Sequence, residues 1–275
     1  MILATASAIA VAALAPVSIT ASSGATTATL SATGATGENT ITDASAIRLR
    51  IARGDSIVFN GPLHPCRFGC SPEDPSGARF VELKAADLDG DGEAEVLVDR
   101  SDGFTPCCTL ETAIMRRDPR TGVYSELDRH WGESYRIAHL GGDRAAALVT
   151  GDLRFYERFA PRIAGFQLPT KILQLRAGGL VDVTRRHAGV VHRDARSLAR
   201  LLRETDAIAD GRRHGDHVIA RAALRPQLAA YAAEERLMGR RAVGDRRLGQ
   251  EVRRHRVSAA FRHALLRFLA RTGYR

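Results

Sequence analysis

The chain has 275 residues, enough to bury one full hydrophobic core or two modest ones, and its 44% apolar content excludes wholesale disorder. The formal charge of +9 is unevenly spread: residues 185–275 hold 22 Arg, no Lys and 9 Asp plus Glu, so the rest of the chain is slightly acidic. Such a basic tail fits a polyanion such as an acidic polymer or lipid surface, with nucleic acid the less favoured partner; the near absence of lysine, present only at Lys84 and Lys171, also fits a plain bias in composition.

Residues 1–25 carry no charge and run from Ala, Ile, Leu and Val into small residues around Ala21–Ala25, which reads as a secretory signal peptide lacking its positive n-region. Uncleaved, this segment would be the chain's one candidate membrane anchor; the run is short for that and is interrupted by Pro16. Residues 26–44 are Ser, Thr, Ala and Gly with few bulky apolar groups, and are expected to be a flexible leader.

Residues 47–51 alternate as a half-buried strand does, Arg53-Gly54-Asp55 makes a turn, and residues 56–59 return. Arg-Gly-Asp is also an adhesion tripeptide, but turn chemistry explains it. Cys66, Cys70, Cys107 and Cys108 are disulfide candidates in an oxidising compartment, with three pairings open and a zinc site as the competing reading. Further short strands are predicted at 79–83, 96–98, 109–115, 123–127, 135–140, 145–149, 154–159, 171–175 and 180–184, separated by turns such as Asp118-Pro119-Arg120-Thr121-Gly122. Beyond residue 185 the period becomes helical. Leu198, Leu201 and Leu202 share one face, Pro226 suits the first turn of a helix ending at Gly239, and Ser258 caps a last helix that ends at Gly273. The resulting fold class is α+β: a β-repeat domain over 45–185 followed by an Arg-rich helical domain over 186–275.

The densest chemistry lies in Asp87-Leu88-Asp89-Gly90-Asp91-Gly92-Glu93-Ala94-Glu95. Five carboxylates in nine residues repel one another unless a cation sits among them, and alternating Asp residues are how a short loop wraps Ca²⁺ in hard oxygen ligands. An EF-hand is disfavoured because the twelfth position is Val98 rather than Glu and predicted strands flank the loop. Residues 86–98 also align with 138–150, placing His139, Gly141 and Ala147 where the first copy has Asp87, Asp89 and Glu95. The second copy keeps a turn and Asp143 but has lost the ligand set, and a period near fifty is that of a β-propeller blade. No Gly-x-Ser-x-Gly, His-Glu-x-x-His or phosphate-cradling glycine loop occurs. His214-Gly215-Asp216-His217 reads as a polar loop between helices rather than a metal site, and Asp99 with Asp102 is a carboxylate pair of the kind any acidic loop offers. No catalytic residues are assigned.

The acidic loop resembles the calcium loop of FG-GAP and VCBS-type repeats. The Pro106-Cys107-Cys108-Thr109 step and residues 179–186 look like exported bacterial relatives of that group, so the resemblance covers roughly residues 75–187. It implies a secreted, calcium-binding, propeller-like scaffold for an extracellular protein or glycan. Calcium would be held by Asp87, Asp89, Asp91 and Glu95 through side chains and by Glu93 through its backbone carbonyl. A closed propeller needs at least four blades, and two clear repeats are too few. The expectation is therefore an open blade-like antiparallel unit capped by helices, with blades from a second chain or a hydrolase on the same scaffold as alternatives.

Overall fold

A computed structural model describes residues 16–37, 40–64, 78–101, 110–132, 134–156, 158–159, 167–177, 179–254 and 256–275. The four cysteines and Asp102 lie outside these, as do residues 1–15 of the segment read as a signal peptide.

Alternation governs the first part of the chain. β1 (Pro16–Ser23), β2 (Thr26–Gly37) and β3 (Thr40–Arg53) form an antiparallel meander, so the described residues of 26–44, expected to be a leader, are instead β2 and the start of β3. Their low bulk concealed a strict period of two: Thr26, Ala28, Leu30, Ala32 and Gly34 are buried, and the residues between them are not. β-branched threonine favours strands, and small inward residues let the sheet pack closely. Residues 16–23, in the stretch read as a signal peptide, are β1 for the same reason, pairing Ile19 with Leu30.

β3 carries two bulges. Between the pairs Ala35–Thr42, Thr33–Ser45 and Ser31–Arg48, β3 advances three residues for every two of β2. The extra residues include Asp43 and Ala46, the two non-glycine residues with positive φ among those described, at 50° and 51°. Each bulge resets the phase, so Ile41, Ala44, Ile47, Leu49 and Ile51 all stay buried in one core despite their uneven spacing. The first half of β3 then pairs with β5 (Ala78–Ala86) and the second half with β4 (Ser56–Pro62). β6 (Glu95–Ser101), β7 (Leu110–Arg117) and β8 (Tyr124–Gly132) complete a sheet ordered β1-β2-β3-β5-β6-β7-β8 with β4 beside β3. Its inner face gathers Leu30, Ile41, Leu49, Ile51, Val81, Val96, Val98 and Met115. The strands do not close into a barrel.

A second sheet, β12-β11-β10-β9, is another antiparallel meander, built from β9 (Tyr135–His139), β10 (Ala146–Gly151), β11 (Thr170–Arg176) and β12 (Gly179–Asp182). The described residues of 154–159 do not make the expected strand: a short 3-10 turn, Leu153–Phe155, is capped by Asp152 and sends Phe155 inward. The helices are α1 (Ala188–Ala209), α2 (His217–Leu237), α3 (Arg241–Arg253) and α4 (Ala259–Arg271). Ser258 caps α4 through Oγ, accepting from Phe261 N at 3.1 Å, and Gly239 and Gly273, both at positive φ, lie just past α2 and α4, as expected. Pro226 does not start a helix. Asp216 caps α2 ten residues earlier by accepting from Val218 and Ile219, and Pro226 is tolerated inside. α3 was not anticipated, since Gly244 and Gly249 weaken its pattern. Gly244 is needed where an added Cβ would lie 3.2 Å from Ala232 Cα of α2.

The two compact units divide differently from the expected boundary at 185. One ends at Asp87 and takes in Gly92–Glu133; the other is Leu88–Asp91 with Ser134–Arg275. β9–β12 belong with the helices because Ala147, Val149 and Ile172 pack with Val183 and with Val190 of α1.

Candidate metal centre

The two sequence copies fold into hairpins of one register. β5 and β6 pair Leu83 with Val98 and Ala86 with Glu95. β9 and β10 pair Tyr135 with Thr150 and Ala138 with Ala147. A displacement of 52 residues carries the first set of pairs onto the second without a slip. The equivalent glycines Gly90 and Gly142 even share a backbone conformation, with φ of +82° and +80°.

Among the described residues, only the first hairpin gathers carboxylates into a cluster. Asp87, Asp89 and Glu95 each bring a side-chain oxygen within 4.8 Å of the others. Calcium binds oxygen at about 2.3–2.6 Å, so oxygens on opposite sides of one ion stand about 5 Å apart, a distance the spacing of this group would accommodate. The loop backbone orients the ligands. Asp87 Oδ2 accepts from Gly92 N at 2.9 Å and Asp89 Oδ1 from Asp91 N at 3.1 Å, while Glu95, the first residue of β6, is buried. Of the five expected ligands, then, three side chains are brought together. Asp91 is not in the group. The Glu93 side chain, which was not expected to bind, is held by Arg53 at 2.6 Å and Arg117 at 3.3 Å. The donor set is all oxygen and fits a hard cation.

In the second hairpin His139 and Ala147 stand opposite Ala146 and Ala138, and Asp143 Oδ2 accepts from Gln174 Nε2 at 3.2 Å. Nothing comparable to the first loop's ligand group forms there among the described residues.

The remaining sequence candidates resolve into structural roles. Arg53 of the Arg-Gly-Asp turn is engaged by Glu93, and Gly54 N donates to Ala25 O at 3.0 Å. His217 Nδ1 lies 2.5 Å from Ile208 O, and Asp216 is spent on the α2 cap. Asp99 is buried, 2.6 Å from Lys84 Nζ, and accepts from Thr112, whose hydroxyl in turn accepts from Trp131 Nε1 at 2.7 Å. Many of the helical arginines are internal cations. Glu235 binds Arg240 at 2.8 Å, Arg236 binds Asp245 at 2.7 Å, and Arg256 reaches Asp206 at 2.8 Å and Glu251 at 3.2 Å. Arg193, Arg196, Arg200 and Arg203 differ: they line the exposed face of α1 and pair with no described carboxylate.

One group escaped sequence reasoning altogether. His64, Glu126 and Asp128 bring ligand atoms within 4.8 Å of one another. His64, beyond the end of β4, is 62 or more residues from the two carboxylates, which lie on β8, so no spacing motif marks the group. No known protein family, curated protein or solved structure matches the chain.

Proposed function

We propose that this protein is an exported β-repeat scaffold of FG-GAP/VCBS type, braced by one calcium ion at Asp87, Asp89 and Glu95, that binds an extracellular protein or glycan. The observation carrying this reading is the pair of hairpins of identical register, only one of which has converging carboxylates. A repeat duplicated and then stripped of its ligands in one copy leaves that pattern. Each hairpin opens a four-stranded antiparallel meander, β5–β8 and β9–β12, the strand count of a propeller blade. In the reading, calcium neutralises the loop and fixes the β5–β6 connection, and no chemistry is routed through it. Calorimetric titration with CaCl₂ tests the metal: one equivalent should bind, and Asp89→Ala should abolish it. A glycan array probed with and without chelator tests the binding role. Calcium binding without Asp89 dependence would remove the brace from the account.

A second reading has its own observation. The arginine stripe on α1 spans about 15 Å at 1.5 Å per residue and carries four unpaired cations. A polyanion would bind there with a steep salt dependence, and Arg196→Ala with Arg200→Ala should flatten that slope. Retention on a heparin column across a salt gradient measures it.

A further inference from the structure

We propose that the second hairpin serves a ligand of the opposite charge: a cavity beside its loop binds a soluble phosphate monoester through Arg144, Arg176 and Arg186. The site goes beyond the calcium reading and does not depend on it. Residues 87–95 hold five carboxylates and no cation, whereas the equivalent residues 139–147 hold one carboxylate, Asp143, and one cation, Arg144. Arg144 stands where the first copy has Gly92.

Three elements bring the cations together. Arg144 lies on the connection between β9 and β10. β11 pairs Gln174 with Ala147 near the start of β10, and Arg176 lies two residues further along. Arg186 is carried by a short 3-10 helix, Thr184–His187, that is pinned to β11: Ile172 N donates to Thr184 Oγ1 and Val183 N to Ile172 O, both at 2.9 Å. The three arginines line one cavity of about 390 Å³ with Asp143, Gln174 and His187, a volume usual for small-molecule sites.

The fold does not settle the charge in this cavity. Asp143 is met by a neutral amide: its Oδ2 accepts from Gln174 Nε2 at 3.2 Å, and Gln174 Oε1 accepts from Arg176 Nη2 at 3.0 Å. Arg144 and Arg186 have no hydrogen bond or ion pair among the described residues. Three guanidinium groups against one carboxylate leave two positive charges, the counterpart of a phosphate monoester, which carries about −2 near neutral pH. Guanidinium groups hold phosphate through paired parallel N–H donors. His187 adds an independent sign, because its Nε2 is buried without a hydrogen-bond partner. A buried polar atom left open in this way is uncommon, and an oxyanion in the cavity would offer its N–H an acceptor.

Two other basic features differ. Arg186 also borders a cavity of about 410 Å³, but there Arg154 is held by Asp152 and the Thr272 carbonyl, and Arg185 by the carbonyls of Leu237 and Gly273. Those cations are already engaged. The α1 stripe presents its arginines from one helix face, along which a polymer can lie, whereas convergence from three elements suits a small ligand.

Calorimetric titration of the full chain with glucose 6-phosphate tests the site, in chelator so that no calcium carries phosphate to the acidic loop. One equivalent should bind, inorganic phosphate should compete with it, and glucose should not bind. Arg144→Gln and Arg186→Gln should each weaken binding at least about tenfold, the loss expected for one charged hydrogen-bonding group. Neither side chain holds a described part of the fold, so both variants should keep the native urea midpoint. Arg50→Gln removes an exposed arginine of β3, and so the same net charge, and should leave affinity unchanged. Absence of binding by either phosphate, equal binding of glucose, native affinity in either cavity variant, or a matching loss in Arg50→Gln would each overturn the site. Calcium is absent throughout, so this site and the calcium brace can fail separately.

Discussion

In the helices, buried carboxylates meet arginine: Asp206 and Glu251 share Arg256, and Glu235 has Arg240. In the acidic loop, Asp87, Asp89 and Glu95 turn towards one another instead, while the arginines nearby, Arg53 and Arg117, go to Glu93. Where the chain brings its own cation, the negative charge is settled on folding. Where it turns three carboxylates together, the proposed function adds an ion taken from solution. The difference predicts which parts of the molecule respond to arginine removal, to pH and to calcium.

The largest effect should come from a buried helical carboxylate, Glu234, that meets no arginine among the described residues. Glu234 is fully buried, its Oε1 accepts from Thr170 N at 2.6 Å, and its Oε2 has no hydrogen bond. Loss of solvation pushes its carboxyl up to about 8. Because the folded value lies above the unfolded one, folding favours the protonated form. Glu234's contribution is then most favourable below about pH 4.5 and falls as pH rises to about 8, by on the order of 4 kcal/mol in all. Urea denaturation of the native chain and Glu234→Gln between pH 5 and 9 checks this. The glutamine keeps an oxygen for Thr170 and should remove that part of the slope.

Next comes Arg256→Ala, which leaves Asp206 and Glu251 buried with less compensation and should cost about 3 kcal/mol. The urea midpoint should fall with its slope unchanged. A loss below about 1 kcal/mol would mean that the helical ion network does not balance charge as described.

The twin hairpins allow a matched comparison. Gly90 and Gly142 have the same positive φ, but a Cβ at Gly90 would lie 2.8 Å from Ala145 N, whereas at Gly142 nothing lies within 4 Å. Gly142→Ala should cost about 1 kcal/mol of backbone strain, and Gly90→Ala about 1 kcal/mol more. Equal losses would mean the first loop is no more tightly seated than the second. Asp91→Asn should change thermal stability least, within about 0.5 kcal/mol, because Asp91 is outside the ligand group.

Much of this was legible in residue patterns. Alternation at 47–51 and the turn at Asp118–Gly122 located strands, Ser258 and Gly273 located the ends of α4, and the Asp-x-Asp-x-Asp run located the loop. What failed did so for physical reasons. Composition hid β2, because alanine and threonine lack bulk yet alternate strictly. The bulges at Asp43 and Ala46 broke the period that would have marked the first half of β3. Pro226 resembles a helix start only until the Asp216 cap is seen. The His64 group depends on strand register across three elements, which no local spacing encodes.

The central claim is that one hairpin of the pair is completed by calcium. Thermal unfolding of the native chain and of Asp89→Ala, each with calcium and with chelator, tests it most directly. Calcium at about a hundred times its dissociation constant should stabilise the native protein by about 2.7 kcal/mol, a rise of roughly 5–10 °C, and should leave Asp89→Ala unmoved. Identical melting curves for the native chain with calcium and with chelator would contradict it.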